Sequence, residues 1–207
     1  HELGNPLSSI MIHLRLLKEQ FASLPLTARR KTEECVDVIQ AETERLDRMV
    51  KNFLRATRKR PSVFREEDVN ALVRDAAKFM GPEMGKAGIR CRLDLDKTVP
   101  PFLMDAERMH QLFINLMKNA IESMPEGGSL EISSSRKDRL CTLVFRDEGM
   151  GISAEHLPHV FEAYYTTKEE GSGLGLMIAY NVVKDHGGKI EVKSRRGEGT
   201  SLFIYIP

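Results

Sequence analysis

The sequence lacks an apolar run of the roughly 18 residues that a membrane-spanning helix requires, and its formal net charge is only +1. The near-neutral charge gives no reason to expect binding to nucleic acid or to a membrane surface. Cysteines are also few, and Cys35, Cys91 and Cys141 are widely spaced without a C-x-x-C pair. This pattern predicts buried free thiols in a reducing compartment and disfavours a metal centre. We therefore expect a cytoplasmic chain that contacts no membrane.

The chain also lacks an initiating methionine, because it begins at His1. We expect it to be a fragment of a longer protein, whose sensor or membrane anchor would lie upstream. Hydrophobic residues make up 41% of the sequence and charged residues 29%, which is ordinary for soluble globular domains. The length allows one large domain or two small ones.

Residues 1–60 are predicted to form a helical hairpin. Apolar residues recur at alternating steps of three and four, the spacing of a coiled-coil seam. Pro25 interrupts the pattern, since proline disrupts a helix interior, and the basic cluster at 55–60 is expected to end the second helix and serve as a linker. The first run comprises Leu3, Leu7, Ile10, Leu14, Leu17, Phe21 and Leu24, and the second Val36, Ile39, Thr43, Leu46, Val50 and Phe53. Two such narrow seams bury too little surface to be stable alone, so we predict a homodimer that forms a four-helix bundle.

Residues 61–207 show mixed α and β patterns and are predicted to form a second domain. The overall fold class is therefore α+β, with an N-terminal helical hairpin followed by an α/β sandwich whose helices cover one face of a mixed sheet. Helices are expected over 68–84 and 105–124, and a third is expected to end near 186. Strands are expected over 89–95, 129–135, 140–146, 189–194 and 201–206.

Four short motifs in this second domain suggest a nucleotide site. Asn115 and Asn119 are four residues apart and share a helix face, and amide oxygens suit Mg²⁺. The stretch 147–151, Asp-Glu-Gly-Met-Gly, follows a predicted strand. The glycine run 171–176 opens a helix, where backbone N–H groups can hold phosphate, and 197–200 is a Gly-Glu-Gly-Thr turn. Taken singly these motifs could be helix caps or hairpin turns. A dinucleotide fingerprint is excluded for 171–176, because no strand directly precedes it and the spacing is not G-x-G-x-x-G.

In this order the motifs resemble those of the sensor histidine kinases of bacterial two-component systems, over essentially the whole chain. The H box corresponds to 1–7, the N box to 115–120, the F box to 161–168, and the three glycine boxes to 147–151, 171–176 and 197–200. The resemblance implies the ATP-binding fold shared with gyrase and the chaperone ATPases, with ATP and Mg²⁺ as cofactors. The short segment 168–173 and the run 119–128 resemble the nitrogen-regulation subtype. Ala163, Tyr164 and Tyr165 depart from the usual F box, and we expect these changes to alter the stiffness of the lid, the segment 168–173, but not the activity.

The resemblance implies a role for each part of the nucleotide site. Asn119 would coordinate Mg²⁺, and Asn115 would support the metal and the phosphates. Asp147 would accept a hydrogen bond from the adenine amino group, with Gly149 and Gly151 shaping the pocket. Lys168 and the amides of Gly173 and Gly175 would contact the phosphates, and Thr200 would reach Asp147 or adenine through water.

His1 is the expected phosphoryl acceptor. The heptad pattern places His1 and Asn5 on the outer face of the hairpin, and a neutral imidazole is a competent nucleophile near neutral pH. The resemblance implies that Glu2 activates His1, although adjacent helical side chains diverge by about 100° and Glu2 could instead interact only with the helix dipole. It also implies that Asn5 orients water for a phosphatase reaction. Ile12 and Leu16 face outward and either form a docking surface or widen the bundle core.

The expected function is ATP-dependent autophosphorylation of His1 and transfer of the phosphoryl group to an aspartate in the receiver domain of a response regulator. Related ATPases resemble one another in carrying a glutamate four residues before the metal-binding asparagine. Here that position is Asn115, which cannot act as a general base, so the nucleophile must come from elsewhere. Two alternatives stay open: a hydrolytic ATPase of the same fold, and a catalytically silent scaffold that binds nucleotide and response regulator.

Overall fold

The computed structural model describes residues 10, 12–15, 17, 34, 36–41, 43, 44, 46, 50, 62–138, 140–167 and 173–207. The chain divides into two compact units, His1–Lys59 and Arg60–Pro207. The predicted roles of His1, Glu2, Asn5, Leu16 and Lys168 concern residues outside the described ones. None of the helices in the described part of the chain combines the length and apolar character needed to cross a membrane.

The described residues of the first unit are helical, and the predicted seam is only partly covered within one chain. Leu14, Val36 and Thr43 are buried, with relative exposures of 4–6%. At alternate seam positions, Ile10 is 45% exposed and Ile39 49% exposed. Part of the apolar seam of this unit therefore has no cover within the described part of the single chain.

The second unit is built on a mixed sheet. In its described residues, the five strands of this sheet are β2 (Ile89–Leu95), β4 (Gly128–Lys137), β5 (Leu140–Asp147), β6 (Lys189–Ser194) and β7 (Thr200–Ile206). Their order is β2-β4-β5-β7-β6. The β2–β4 pair is parallel and the other pairs are antiparallel. A helical crossover connects β2 to β4, and hairpins connect β4 to β5 and β6 to β7.

Three helices accompany this sheet in the described residues: α1 (Val69–Lys86), α2 (Ala106–Ser123) and α3 (Gly175–Asp185). Their apolar residues and the inward-facing side chains of the strands form one core. Phe113 of α2 stacks on Phe145 of β5 with ring centroids 5.7 Å apart, so α2 lies directly on the sheet. The predicted fold class is confirmed, and the predicted helices and strands lie within a few residues of the observed ones.

A small second sheet was not predicted. It pairs β1 (Arg65–Glu67) with β3 (Phe102–Met104) in antiparallel register. Three-residue strands carry too little alternation to be recognised, and β1 reads Arg-Glu-Glu, a charged run that favours solvent. A short 3-10 helix at Leu157–His159 was also missed. The β1–β3 pair lies where the chain enters the second unit, just after Ser62.

Candidate functional site

Asp147 ends β5 and is buried, with 9% of its surface exposed. Its Oδ1 atom accepts hydrogen bonds from the backbone N–H of Gly149, at 2.9 Å, and of Thr200, at 3.2 Å. The Ser123 hydroxyl lies 3.3 Å from the same oxygen. The two backbone N–H donors converge on one oxygen and orient the carboxylate, which is the requirement for a group that must recognise a ligand at a defined angle.

Ser123 was not identified as a site residue from the sequence. Its hydroxyl donates to the Ala120 carbonyl at 2.8 Å and also points toward Asp147. Its carbonyl accepts the Met150 N–H at 3.0 Å. The last turn of α2 is thereby joined to the glycine segment that follows β5. The available signal was position, because Ser123 lies four residues after Asn119 on the same helix face.

The turn between β6 and β7 closes onto the segment after β5. The Gly197 N–H donates to the Met150 carbonyl at 2.7 Å. Gly151 and Gly199 both have positive φ, +66° and +81°, and a β-carbon at either would overlap backbone atoms of the facing segment. Glycine is required at both positions, since another residue would be strained and would also separate the two segments.

Thr200 contacts Asp147 directly through its backbone N–H, and not through its side chain. Its hydroxyl is instead 2.9 Å from the Ser194 hydroxyl. Ser194 also donates to the Gly199 carbonyl and accepts the N–H of Ile152, both at 2.8 Å. Ser194 therefore organises this edge of the site, a role that the sequence did not reveal because a serine at the end of a strand has no distinctive pattern.

Asn115 and Asn119 lie in the second half of α2. Among buried side-chain nitrogen and oxygen atoms of the described residues, Asn115 Nδ2 is the one without a hydrogen-bond partner. A buried amide group without a partner is costly, and a polar ligand at this position would remove that cost. A β-carbon added at Gly175 would lie 3.5 Å from both Nδ2 and Oδ1 of Asn119. The fold thus brings the start of α3 against the second asparagine.

The start of α3 differs from those of the other helices in the described part of the chain. Asp68 caps α1 and Asp105 caps α2 by accepting backbone N–H groups of the first turn. The N-cap residue of α3 is Leu174, which provides no such side-chain hydrogen bond. The first N–H groups of a helix need acceptors, and a phosphate is a suitable one. Gly173 precedes this end and accepts the Tyr164 N–H at 3.1 Å.

The donor set suits a magnesium nucleotide better than a metal bound by the protein alone. The described residues contain no cluster of three or more His, Cys, Asp or Glu side chains that could hold a metal ion. Asn119 offers a neutral amide oxygen next to the uncapped helix end. Mg²⁺ commonly takes few ligands from the protein and completes its shell with phosphate oxygens and water. The residues present therefore fit a metal that arrives with a nucleotide.

Two family models match separate parts of the chain. The histidine kinase-, DNA gyrase B- and HSP90-like ATPase family matches residues 104–207. The His Kinase A (phospho-acceptor) domain matches residues 1–62. The first of these is a family of ATPases, which assigns ATP binding to the part of the chain that holds Asp147 and both asparagines.

Individual relatives match the whole chain. Sporulation kinase E of Bacillus subtilis is 31% identical over 100% of this chain and 27% of its own length. Sensor histidine kinase ZraS of Escherichia coli strain K12 is 31% identical over 100% of the chain and 43% of its own length. The crystal structure of histidine kinase ThkA in complex with response regulator protein TrrA matches with a TM-score of 0.72 and 27% identity, over 100% of this chain and 59% of that one. The chain thus spans less than half the length of these two curated relatives.

Proposed function

The chain belongs to the sensor histidine kinases of two-component systems, and we propose that it transfers the γ-phosphoryl group of ATP to His1 and then to an aspartate of a response regulator. The observation that carries the proposal is the convergence of Asp147, the two asparagines of α2 and the uncapped start of α3 in one unit. The nitrogen-regulation subtype stays a prediction.

In this proposal residues 61–207 bind the nucleotide. Asp147, held by Gly149 and Thr200, accepts a hydrogen bond from the adenine amino group, and Gly151 keeps the backbone close to the base. The N–H groups at Gly173 and Gly175 and the side chain of Lys168 contact the phosphates. Asn119, supported by Asn115, would hold Mg²⁺, and the ion would supply neutralisation of the phosphate charge. Catalysis of this type consists mainly of positioning and charge stabilisation.

Residues 1–60 supply the acceptor. A ring nitrogen of His1 attacks the γ-phosphorus, the bond to the bridging oxygen breaks, and ADP leaves with that oxygen. Glu2 accepts the proton on the other ring nitrogen and so raises the nucleophilicity of the imidazole. Asn5 orients water for the reverse, dephosphorylating reaction on the regulator. The product on His1 is a phosphoramidate, which can pass its phosphoryl group to a carboxylate.

Two partners follow from the first unit. A second copy of the chain would cover the exposed seam positions Ile10 and Ile39 and complete a four-helix bundle. A receiver domain would dock on the outer face near Ile12, which is 59% exposed. The complex of ThkA with TrrA is a precedent for such a partner.

One labelling experiment tests the function. The full chain is incubated with Mg²⁺ and γ-labelled ATP, and the labelled protein is tested for acid lability. We expect acid-labile, base-stable label that is lost in His1→Gln. Release of phosphate without protein label would instead support a hydrolytic ATPase, and nucleotide binding with neither product would support a silent scaffold. Asn119→Asp should abolish labelling, and full labelling in that variant would contradict the metal assignment.

A further inference from the structure

A partly buried polar cluster lies away from the proposed nucleotide site, where the second unit receives the chain from the first. We call it the junction clamp and define it as Asp105, Arg108, Asp185 and His186. It joins the start of α2 to the end of α3 and holds the entering segment 62–64. Asp105 and His186 are only 8% and 7% exposed, which is unusual for polar residues without a structural or functional task.

Asp105 is the centre of the clamp. As the N-cap of α2 it accepts the Arg108 N–H on Oδ1 at 3.1 Å, and it accepts the Val63 N–H on Oδ2 at 3.1 Å. Its own N–H donates to His186 Nε2 at 3.0 Å. Since Nε2 is therefore an acceptor, the His186 proton lies on Nδ1, which donates to the Val182 carbonyl at 2.7 Å. The Asp105 N–H bond to His186 ties the start of α2 to the end of α3, and the Val63 N–H bond ties the entering segment to Asp105.

Arg108 adds a charged bridge. Its Nη2 lies 2.6 Å from Asp185 Oδ2 at the end of α3, and its Nη1 donates to the Ser62 hydroxyl at 2.7 Å. The Phe64 ring packs on His186 with centroids 5.0 Å apart. Ser62, Val63 and Phe64 are thus each held by a different member of the clamp. These three contacts hold the backbone of residues 62–64 in one position on the second unit.

Both helices that meet at the clamp also contribute to the proposed nucleotide site. Arg108 and Asn119 are on α2, and at 1.5 Å per residue they are separated by about 16 Å along the axis. Asp185 ends α3, and Gly175 begins it. A substitution in the clamp is therefore too far from the proposed nucleotide site to remove a contact with the nucleotide. The clamp is nevertheless connected to that site, because α2 and α3 each extend from the clamp to one side of it.

We propose that the junction clamp anchors the connector, which is the covalent link between the two units and enters the second unit through segment 62–64, so that Arg108 and Asp105 are positioning residues for phosphoryl transfer between the two units. The inference rests on the proposed function. The phosphoryl donor and acceptor belong to different units joined by one covalent connector, so the transfer rate depends on where that connector leaves the second unit. Releasing segment 62–64 would lengthen the tether and randomise its direction, which lowers the effective concentration of the acceptor without weakening nucleotide binding.

Ser62→Ala and Arg108→Asp test the inference in the full chain. Ser62→Ala removes only the contact with the connector and leaves the Arg108–Asp185 pair intact. We expect about a threefold lower initial rate of His1 labelling for Ser62→Ala and about a tenfold lower rate for Arg108→Asp, because the tether is loosened in both. The Kd for ATP should stay within about twofold of wild type in both variants, because neither residue lies at the nucleotide.

A charge exchange separates positioning from simple damage. The double variant Arg108→Asp with Asp185→Arg restores an ion pair of opposite polarity and should recover part of the labelling rate lost in Arg108→Asp alone. Arg92→Asp is the matched control, since it breaks an exposed pair with Glu131 on the sheet, 4.0 Å apart, and should leave the rate unchanged. Trypsin cleavage after Arg65 should be faster in Ser62→Ala than in Arg92→Asp, because the entering segment is then less restrained.

The outcomes distinguish the two proposals. If the wild-type chain is not labelled at all, the proposed function is wrong. In that case the trypsin comparison still tests whether the clamp restrains the connector, because it does not depend on labelling. If wild type is labelled but Ser62→Ala and Arg108→Asp are labelled at the wild-type rate, the positioning role is overturned. An equal loss of ATP affinity and labelling, or no recovery in the exchanged pair, would also overturn it.

Discussion

Replacing Asp147 with asparagine should weaken ATP binding and shift the preference of the site toward GTP. The two side chains have the same shape, so the change exchanges one oxygen for an NH₂ group. The structure determines which of the two carboxylate oxygens is replaced. Gly149 and Thr200 both direct N–H groups at Oδ1, so the asparagine must keep its oxygen there. Its NH₂ group then takes the place of Oδ2, the position from which we propose that the carboxylate accepts the adenine amino group.

The size of the effect follows from that orientation. A hydrogen bond to a charged group contributes about 1.5–3 kcal/mol, and in Asp147→Asn the adenine amino group would face another donor. We expect the Kd for ATP to rise about 10- to 100-fold, since 1.4 kcal/mol corresponds to a factor of ten. Guanine presents a carbonyl oxygen where adenine has its amino group, so the Kd for GTP should fall or stay constant. Competition against a fluorescent ATP analogue measures both constants on the full chain.

Glu148→Gln is the matched control, because Glu148 is adjacent and exposed and its loss removes the same charge. It should leave the ratio of the two affinities unchanged. An unchanged Kd for ATP in Asp147→Asn would refute the assignment of Asp147 to adenine. Equal losses for ATP and GTP would also refute it, because they would indicate damage to the glycine turns and not an exchanged hydrogen-bonding group.

Three further outcomes are expected. Gly85→Ala should raise the free energy of unfolding, measured in urea titrations, by about 0.5–1 kcal/mol. The residue lies in α1, and a β-carbon added there meets no atom within 4 Å. A lower free energy of unfolding would contradict this prediction. Cys141 should resist iodoacetamide at pH 8 in the native chain and react in urea, as read by mass spectrometry, because burial raises the pKa of its thiol to about 11 and keeps it protonated. Tyr165→Phe should lower the free energy of unfolding by about 0.5–1.5 kcal/mol, since it removes the hydroxyl that lies 2.6 Å from His156 Nδ1. Tyr180→Phe, whose ring packs on Phe161, is its control and should change stability less.

The sheet and helices of the second unit could be predicted because their residues repeat strongly. In β5 every second residue from Cys141 to Asp147 is buried, and this alternation is visible in the sequence. Asp68 and Asp105 stand where helices were expected to begin, as caps commonly do. β1 and β3 could not be predicted, since each depends on a partner more than thirty residues away in the register Arg65 to Met104 and neither has a periodic pattern.

The sequence predicted those residues of the candidate site that belong to a motif. It did not predict the residues whose role depends on tertiary contacts. Asp147 and Asn119 stood out because glycines or a second amide accompany them at fixed spacing. Ser123 and Ser194 hold the same site together, yet a serine at the end of a helix or strand is common and carries no signal of its own. His186 was recognised only as the end of a helix. Its contact with Asp105 spans 81 residues and follows from the packing of α2 against α3.

The helix ends of the second unit show how stability and binding are divided within one fold. At the clamp, Asp105 accepts a backbone N–H group at the start of α2. At the end of α3, the N–H groups of His186 and Gly187 donate to carbonyl groups of the last turn. Near the asparagines, the start of α3 has no side-chain cap. A cap there, such as the aspartates of α1 and α2, would stabilise the helix by about 1 kcal/mol. It would also place a carboxylate where the phosphates are proposed to bind, and like charges at one helix end repel. The missing cap therefore lowers the stability of the free chain. It also leaves the first N–H groups of α3 available to donate hydrogen bonds to the phosphates of the nucleotide.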